Sequence, residues 1–373
     1  MTNVTSAQLF SQQTEWIADH IQTEANPRNI QFVSHLGDVV SNAADMVEWQ
    51  RADLSMDRLD GIVKYSVLPG NHDYLLTSTK NSGTENYLSY FGPSRFSSQS
   101  WFGGADPSGN NSYQLFNAGG FDFLHLALEW NPTDNTPLRQ LSPLDWAQSV
   151  LDANPNLPVI LSTHEYVQEE PPGRSVTGEE LWNQLITKND QIFMVLNGHF
   201  HRFGKPFGGQ HHQVSTNDAG RSVVEVLQNY QGFPTGGEGW LRLIDFDIPN
   251  DRLRFETYSP FLDEFLETEP AQFGTFAAQF ELSIDFSTRL VPILTSPQIP
   301  GDFNLDQSVD GADFLVWQNE TTNGSLGDSD LLDWKEHYGH GAGDTLGPNL
   351  IPEPMTLQCL VWGFVLFMIG WPS

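Results

Sequence analysis

Leu196-Asn197-Gly198-His199-Phe200-His201 places two histidines one residue apart at the end of an apolar run. The residues leading into it, Gln191-Ile192-Phe193-Met194-Val195-Leu196, read as a fully buried strand, and Gly198 frees the backbone to turn as it leaves the sheet. Two imidazoles then stand in a loop at a strand's carboxyl end, where open α/β sheets place their ligands. A His-x-His pair alone is more often solvated surface. Three other junctions change that weighting: Leu36-Gly37-Asp38, Pro69-Gly70-Asn71-His72-Asp73 and Ser162-Thr163-His164. Each follows an apolar run, so all four loops are expected to converge on one edge of one sheet. Asp38, Asn71, His164, His199 and His201 would then offer oxygen and nitrogen donors suited to zinc, iron or manganese.

Working outward, the pattern alternates strand and helix. Trp16, Ile17 and Ile21 mark a helical face within Ser11 to Thr23. Ile30 to Leu36 is a strand, Ala43 to Leu59 a helix, and Tyr65 to Leu68 a strand, an alternation that favours a parallel core covered by helices. Leu75 to Gly120 is rich in Ser, Gly, Asn and Pro with interleaved aromatics, and reads as a long insertion over the active face. Phe121 to Leu128 alternates like a half-buried strand, Ser142 to Leu151 is a capped helix, and Thr177 with Glu180 has capping-box spacing. Val223 to Leu227, Leu241 to Asp247 and Leu253 to Tyr258 follow without intervening helices and imply an antiparallel half.

The chain of 373 residues has room for two domains. Its 47 acidic and 17 basic residues give a net charge of -30, which argues against nucleic-acid binding through a basic surface. The single cysteine, Cys359, makes no internal disulfide. Met1 leads into polar residues and an apparent helix, with no signal peptide in the chain as given, so any export signal is expected upstream.

Gly37-Asp38, Gly70-Asn71-His72-Asp73, His164 and Gly198-His199-Phe200-His201, in that order, resemble the motifs of the calcineurin-like metallophosphoesterases, in a secreted bacterial branch also suggested by Leu227-Gln228-Asn229-Tyr230-Gln231. The resemblance implies a four-layer α/β/β/α sandwich with mixed sheets, hydrolysing phosphate esters with a metal-activated water. It makes Asp38 a carboxylate bridging two metals, with Asn71, His164 and His199 completing one and His201 belonging to the other. It makes His72 a general acid oriented by Asp73. Arg202 and Arg95 become candidate phosphate contacts, each equally readable as an ordinary surface arginine.

The family's first motif, Asp-x-His or Asp-x-Gln at a strand end, does not precede the first helix, and Asp19-His20 lies within the helical pattern. Two readings follow. Either an upstream strand completes a two-metal site of Zn, Fe or Mn, or the chain holds one metal or none. In the second case it would be a non-catalytic cell-surface or matrix binding protein.

Beyond an expected phosphoesterase domain at 1–260 and an uncertain domain end and linker at 261–300, a module at 301–339 resembles a dockerin-type calcium repeat. Asp302, Asn304, Asp306, Ser308, Asp310 and Asp313 carry oxygens at calcium-loop spacing, although Gln307 stands where glycine is usual. The resemblance implies a small helical calcium-binding appendage and a cohesin-like partner. A linker at 340–354 includes Pro352-Glu353-Pro354, and the uncharged apolar run at 355–371 is expected as a C-terminal helix. That layout resembles a PEP-CTERM tail, implying surface-sorting machinery, membrane anchoring and an exported bacterial protein of the cell envelope or extracellular space.

Overall fold

The computed structural model describes residues 6–21, 29–119, 121–134, 141–201, 208–266, 278–290, 301, 303, 308–323 and 328–339, with the backbone of 362–367. It divides into two units. The larger takes 1–116, 123–289 and 361–373, and the smaller takes 117–122 and 290–360.

The larger unit is built on two sheets. The first contains β1 (Ile30–His35), β2 (Lys64–Val67), β12 (Leu241–Asp247), β13 (Arg252–Ser259), β14 (Glu264–Phe265), β15 (Phe280–Ser283) and β16 (Trp362–Phe367). Its order is β14-β13-β12-β16-β1-β2, with β15 also on β13. β1 is parallel to β2 and β16, whereas β12 is antiparallel to β13 and β16. The second sheet runs β10-β11-β9-β6-β5-β4-β3. Its strands are β3 (Phe102–Ala105), β4 (Ser112–Ala118), β5 (Phe121–Leu128), β6 (Val159–Thr163), β9 (Ile192–Asn197), β10 (Gln210–Thr216) and β11 (Ser222–Gln228). A short hairpin, β7 (Val167–Glu169) with β8 (Pro172–Arg174), belongs to neither ladder and is tied to the second sheet through side chains, with Val167 N donating to Asn197 and Arg174 to Glu225.

Period-two alternation assigns the faces. Phe32 and Ser34 of β1 turn toward the second sheet, where Phe32 stacks on Phe116 at 4.6 Å and the Ser34 hydroxyl donates to Ser162 Oγ at 3.0 Å. Phe123, Phe193 and Phe246 meet edge-on or tilted between the layers. On the outer face of the first sheet, Val33 packs under α1 (Ser6–Asp19) and α2 (Met46–Met56) with Phe10, Ile17, Trp49 and Met56, and Ile30 joins that cluster because the register of β1 is irregular between Ile30 and Val33. On the outer face of the second, Leu124, Leu161 and Val195 pack under α5 (Pro143–Ala153) and the helical stretch from α6 (Val176–Leu181) through Ile186. Each fully buried Leu, Ile, Val or Phe here contributes about 1.5–3 kcal/mol from area removed from water. The expected α/β/β/α layering is therefore realised.

Several expectations change. The four motif loops leave two sheets, not one. β11 is parallel to β9 and belongs to the second sheet; of the three strands expected to be antiparallel, β12 and β13 pair with each other in the first sheet, and β11 is antiparallel to β10. Strands β14 and β15 carry the first sheet past residue 260. The Leu75 to Gly120 insertion is structured: α3 (Glu85–Phe91) and α4 (Pro93–Phe96) lead into β3 and β4. Its aromatics enter the core under α2 instead of covering the active face, with Trp49 stacked on Tyr90 and the Tyr87 hydroxyl donating to the Val67 carbonyl. The cap of α6 is Ser175, which accepts from Gly178 N, not Thr177.

The largest change concerns the C-terminal apolar run. Residues 362–367 form a strand, not a helix, and pair with β1 on one side and β12 on the other. A sheet interior satisfies every backbone N–H and C=O of such a segment as a helix would, so apolar composition alone does not choose between them. Residues 355–361 and 368–371 lie outside the described residues. Among the described residues, no helix is long and apolar enough to cross a membrane.

His125 lies 1% exposed on β5 between Gln114 Oε1 and Ser162 Oγ, each at 2.9 Å. Burial pushes its pKa down to about 3. The unfolded chain takes up this proton below pH ~6.5 while the folded chain resists it, so the stabilisation is complete above ~6.5 and is lost as pH falls toward 3. Urea titrations at pH 7 and pH 5 should show the wild type losing stability, and His125→Gln should flatten that slope by up to about 1.4 kcal/mol per pH unit.

In the smaller unit, helices Gly311–Asn323 and Asp328–His337 follow the acidic loop. Phe314 meets Trp334 at 5.0 Å, and the Trp334 indole donates to the Asp310 carbonyl. Asp302, Asn304 and Asp306 lie outside the described residues. The buried Asp313 carboxylate accepts backbone N–H groups from Phe303 and Asp310, and so ties the loop across the start of its helix.

Candidate metal centre

The Gly-Asp and Gly-Asn-His-Asp loops meet back to back. A Cβ on Gly70 would stand 2.2 Å from Asp38 Oδ1 and 2.3 Å from Asp38 N, so only glycine lets the loops approach this closely. Gly37 is held at φ +91°, where a Cβ would also meet His164 Nδ1 at 2.8 Å. Two non-glycine residues of the site share this left-handed backbone, Asp38 at φ 52° and His199 at φ 69°. Such strain costs about 1–3 kcal/mol at each position and persists where the surroundings over-determine it. The turn after β9 therefore falls on His199 itself, while Gly198 donates its N–H to the His164 carbonyl at 3.0 Å.

The first sheet delivers Asp38 and Asn71; the second delivers His164 and His199. Asn71 Oδ1 is 3.0 Å from both His164 Nε2 and His199 Nδ1, which are 3.1 Å from each other, and Asp38 Oδ2 is 3.3 Å from His164 Nε2. Bonds of about 2.0–2.2 Å to a central cation set neighbouring donor atoms about 3.0–3.4 Å apart. Counting His, Cys, Asp and Glu alone, no group of three or more among the described residues is placed to hold a metal ion. The Asn71 carbonyl is what ties the two imidazoles into one set.

Donor chemistry supports the fit. The Leu36 carbonyl, 2.7 Å from His164 Nδ1, can only accept, so that nitrogen carries the proton. In the neutral ring, Nε2 then aims a lone pair at the oxygens of Asn71 and Asp38, and only a proton or a cation between them relieves the repulsion. Burial lowers the pKa of His164, yet the Asp38 carboxylate and its hydrogen bond outweigh that and raise it. For Asp38, burial acts upward, but the His164 charge and hydrogen bond hold the pKa down at about 2. Burial and neighbouring His164 lower His199 to about 4. The residues fit one cation.

The other expected residues fall as follows. His72 is half-buried; its backbone N–H donates to Asp38 Oδ1 at 2.9 Å and its ring Nδ1 lies 2.8 Å from the Ser41 carbonyl. Asp73 does not orient that ring. It is fully buried and its carboxylate accepts the N–H groups of Gly70, Val39 and Val40, which locks the two loops together. Burial and the nearby Asp38 push its pKa up to about 7. Ser41 leaves no trace in sequence reasoning because it acts through its backbone. Arg95 is not a phosphate contact: it pairs with Asp53, Asp57 and Asp60. Arg202 lies outside the described residues. His211 is buried on β10, and His212 stacks on Phe280 at 3.9 Å.

His201 is held differently, by the loop after β11. Asn229 Nδ2 donates to the His199 carbonyl at 3.0 Å, Asn229 Oδ1 accepts from Gln231 N at 3.0 Å, and Gln231 Nε2 reaches His201 Nδ1 at 2.5 Å. A second support was missed by sequence reasoning. Glu129, directly after β5, is 0% exposed and pairs with Lys80 at 3.1 Å. Its carboxylate also accepts from Tyr74, Asn110 and Asn111. The signal was a carboxylate ending an apolar strand.

The chain has similar proteins of known sequence and of known structure. Over 293 residues, 77% of the chain, it is 33% identical to an uncharacterized protein of Bacillus subtilis strain 168, YvnB, and spans 21% of that relative's length. Among solved structures it is similar to the purple acid phosphatase PPD1 of yellow lupin, with a TM-score of 0.45 and 13% identity over 80% of this chain and 54% of that one. It is also similar to GAP50, the anchor in the inner membrane complex of Plasmodium, with a TM-score of 0.42 and 11% identity over 77% of this chain and 88% of that one. The calcineurin-like phosphoesterase family model matches residues 9–203, a span holding all four motif loops, and the chain belongs to that family.

Proposed function

We propose that the chain hydrolyses phosphate esters at the point where Asp38, Asn71, His164 and His199 meet. The observation that carries this reading is the Asn71–His164–His199 triangle of 3.0–3.1 Å beside the Asp38 carboxylate. Bound there, a divalent ion such as Zn, Fe or Mn would polarise a phosphoryl oxygen and make hydroxide available near neutral pH. The chain's own residues supply the rest. Asp38 would supply the negative charge that holds the cation, and its Oδ1 accepts the His72 N–H, which ties the Gly-Asp loop to the loop that carries His72. Ser41 accepts from His72 Nδ1, so that nitrogen keeps its proton, and the doubly protonated ring is the form with an Nε2 proton to give to the departing alcohol oxygen, reverting to the neutral Nδ1–H ring. Asp73 holds both loops by their N–H groups and takes no part in proton transfer.

The expected export to the bacterial envelope or exterior, the calcium loop ending at Ser308, Asp310 and Asp313, and the cohesin-like or sorting partners belong to the same proposal. Their support is the sequence pattern at 302–313 and 351–371.

The test is metal analysis and hydrolysis together, on the full chain loaded with zinc, manganese or iron. His199→Ala should weaken metal binding at least about 10-fold and abolish hydrolysis of phosphomonoesters and phosphodiesters. A chain that hydrolyses neither, and whose metal content is unchanged by His199→Ala, would sink the proposal and favour a binding protein on a phosphoesterase scaffold.

A further inference from the structure

We propose that Asn197 and Asn229 are positioning residues whose side-chain amides hold the peptide groups on either side of His199, keeping it in a strained γ-turn with its ring among the cation donors. The inference deepens the proposed site and rests on that reading only for His199 being a cation ligand. The turn itself follows from backbone contacts. Phe200 N–H donates to the Gly198 carbonyl at 2.8 Å, a bond that spans the single residue His199, and His199 has φ 69°. With positive φ this is the rarer and strained form of γ-turn, which a residue with a Cβ keeps only where its surroundings enforce it.

The two asparagines supply that enforcement. Asn197, the last residue of β9, is 0% exposed; its Nδ2 donates to the Gly198 and Val167 carbonyls, each at 2.9 Å, and its Oδ1 accepts the Val167 N–H at 3.2 Å. Asn229, also buried, donates from Nδ2 to the His199 carbonyl at 3.0 Å and accepts the Gln231 N–H on Oδ1 at 3.0 Å. Neither amide can be turned end for end, because each nitrogen faces a backbone carbonyl and each oxygen a backbone N–H. The peptide before His199 and the peptide after it are therefore gripped from different sides. Asn197 also ties the turn to Val167, in the stretch that leaves β6 through His164. What the grip serves is the placement of His199 Nδ1, 3.0 Å from Asn71 Oδ1 and 3.1 Å from His164 Nε2. That nitrogen lies closer to the backbone than Nε2, so a relaxed φ would carry it out of the donor set with little side-chain freedom to compensate.

Urea unfolding of the full chain, stripped of metal, tests the turn. At an ordinary φ alanine is more stabilising than glycine, and at a positive φ the order reverses. His199→Gly should therefore unfold at higher urea than His199→Ala. With Asn197→Leu or Asn229→Ala added, the turn is free to relax and that difference should shrink, which a double-mutant cycle reads. Metal binding tests the purpose. With His199 present, Asn197→Leu and Asn229→Ala should each weaken zinc affinity by about 10-fold and alter the visible absorption of the cobalt-loaded chain, a reporter of ligand geometry. Should Asn197→Leu fail to fold, Asn229→Ala, which leaves the contacts of Asn197 with Val167 in place, carries both measurements. The assignment is overturned by a His199→Ala chain at least as stable as His199→Gly, by a difference that neither asparagine substitution moves, or by unchanged zinc affinity and cobalt absorption in both variants. Should the coupling and the zinc loss appear in a chain that hydrolyses no phosphate ester, the positioning role stands and the phosphoesterase reading fails.

Discussion

Replacing His72 by glutamine should lower kcat by about 10²–10⁴, the range a positioned general acid contributes, while leaving bound metal unchanged. The substitution keeps a side chain that can reach the Ser41 carbonyl but removes the transferable proton. The deficit should depend on the leaving group: large for alkyl phosphates, whose alkoxide needs protonation, and small for p-nitrophenyl phosphate, whose phenolate departs unaided. Steady-state rates over a series of leaving groups check it. Equal losses across the series would mean that His72 binds the ester and donates no proton.

Lys80→Met should cost about 3–5 kcal/mol of stability, because it leaves Glu129 charged and unpaired in the interior. The Lys80 and Glu129 side chains are 3% and 0% exposed. The three ammonium protons meet Glu129 Oε2 and the carbonyls of Trp130 and Asn131, so no donor is idle. For a domain of this size, thermal unfolding should begin about 10 °C lower. Glu129→Gln added to Lys80→Met should recover part of the loss by removing the buried charge, and a double-mutant cycle in urea measures that coupling. A single variant as stable as wild type would show that water reaches Glu129.

Much of the site could be read before the fold was known. Asp38, Asn71, His164 and His199 each follow an apolar strand in a family order, and the structure brings these four together. That they hang from two sheets could not be read, since a strand buried on both faces looks the same whichever sheet receives it. The insertion from Leu75 hid α3 because its Ser, Gly and Asn content masked the i, i+4 pair Tyr87 and Phe91, which turns into the core. Asp73 misled for another reason. A carboxylate beside a catalytic histidine in sequence suggests a pair, whereas the 3-10 turn at Asn71–Asp73 sends the two side chains to different partners. Buried polar supports such as Lys80 and Glu129 stayed invisible because a lysine between Thr79 and Asn81 looks solvated until its carbonyl partners are seen.

Because the four donors come in pairs from opposite sheets, whatever binds among them also clasps the two halves of the sandwich. Occupancy and folding then form a single mass-action equilibrium: a ligand at a hundred times its dissociation constant adds about 2.7 kcal/mol to the folded state. Scarcity of the ion would register first as a shorter lifetime of the protein, before any measurement of its chemistry.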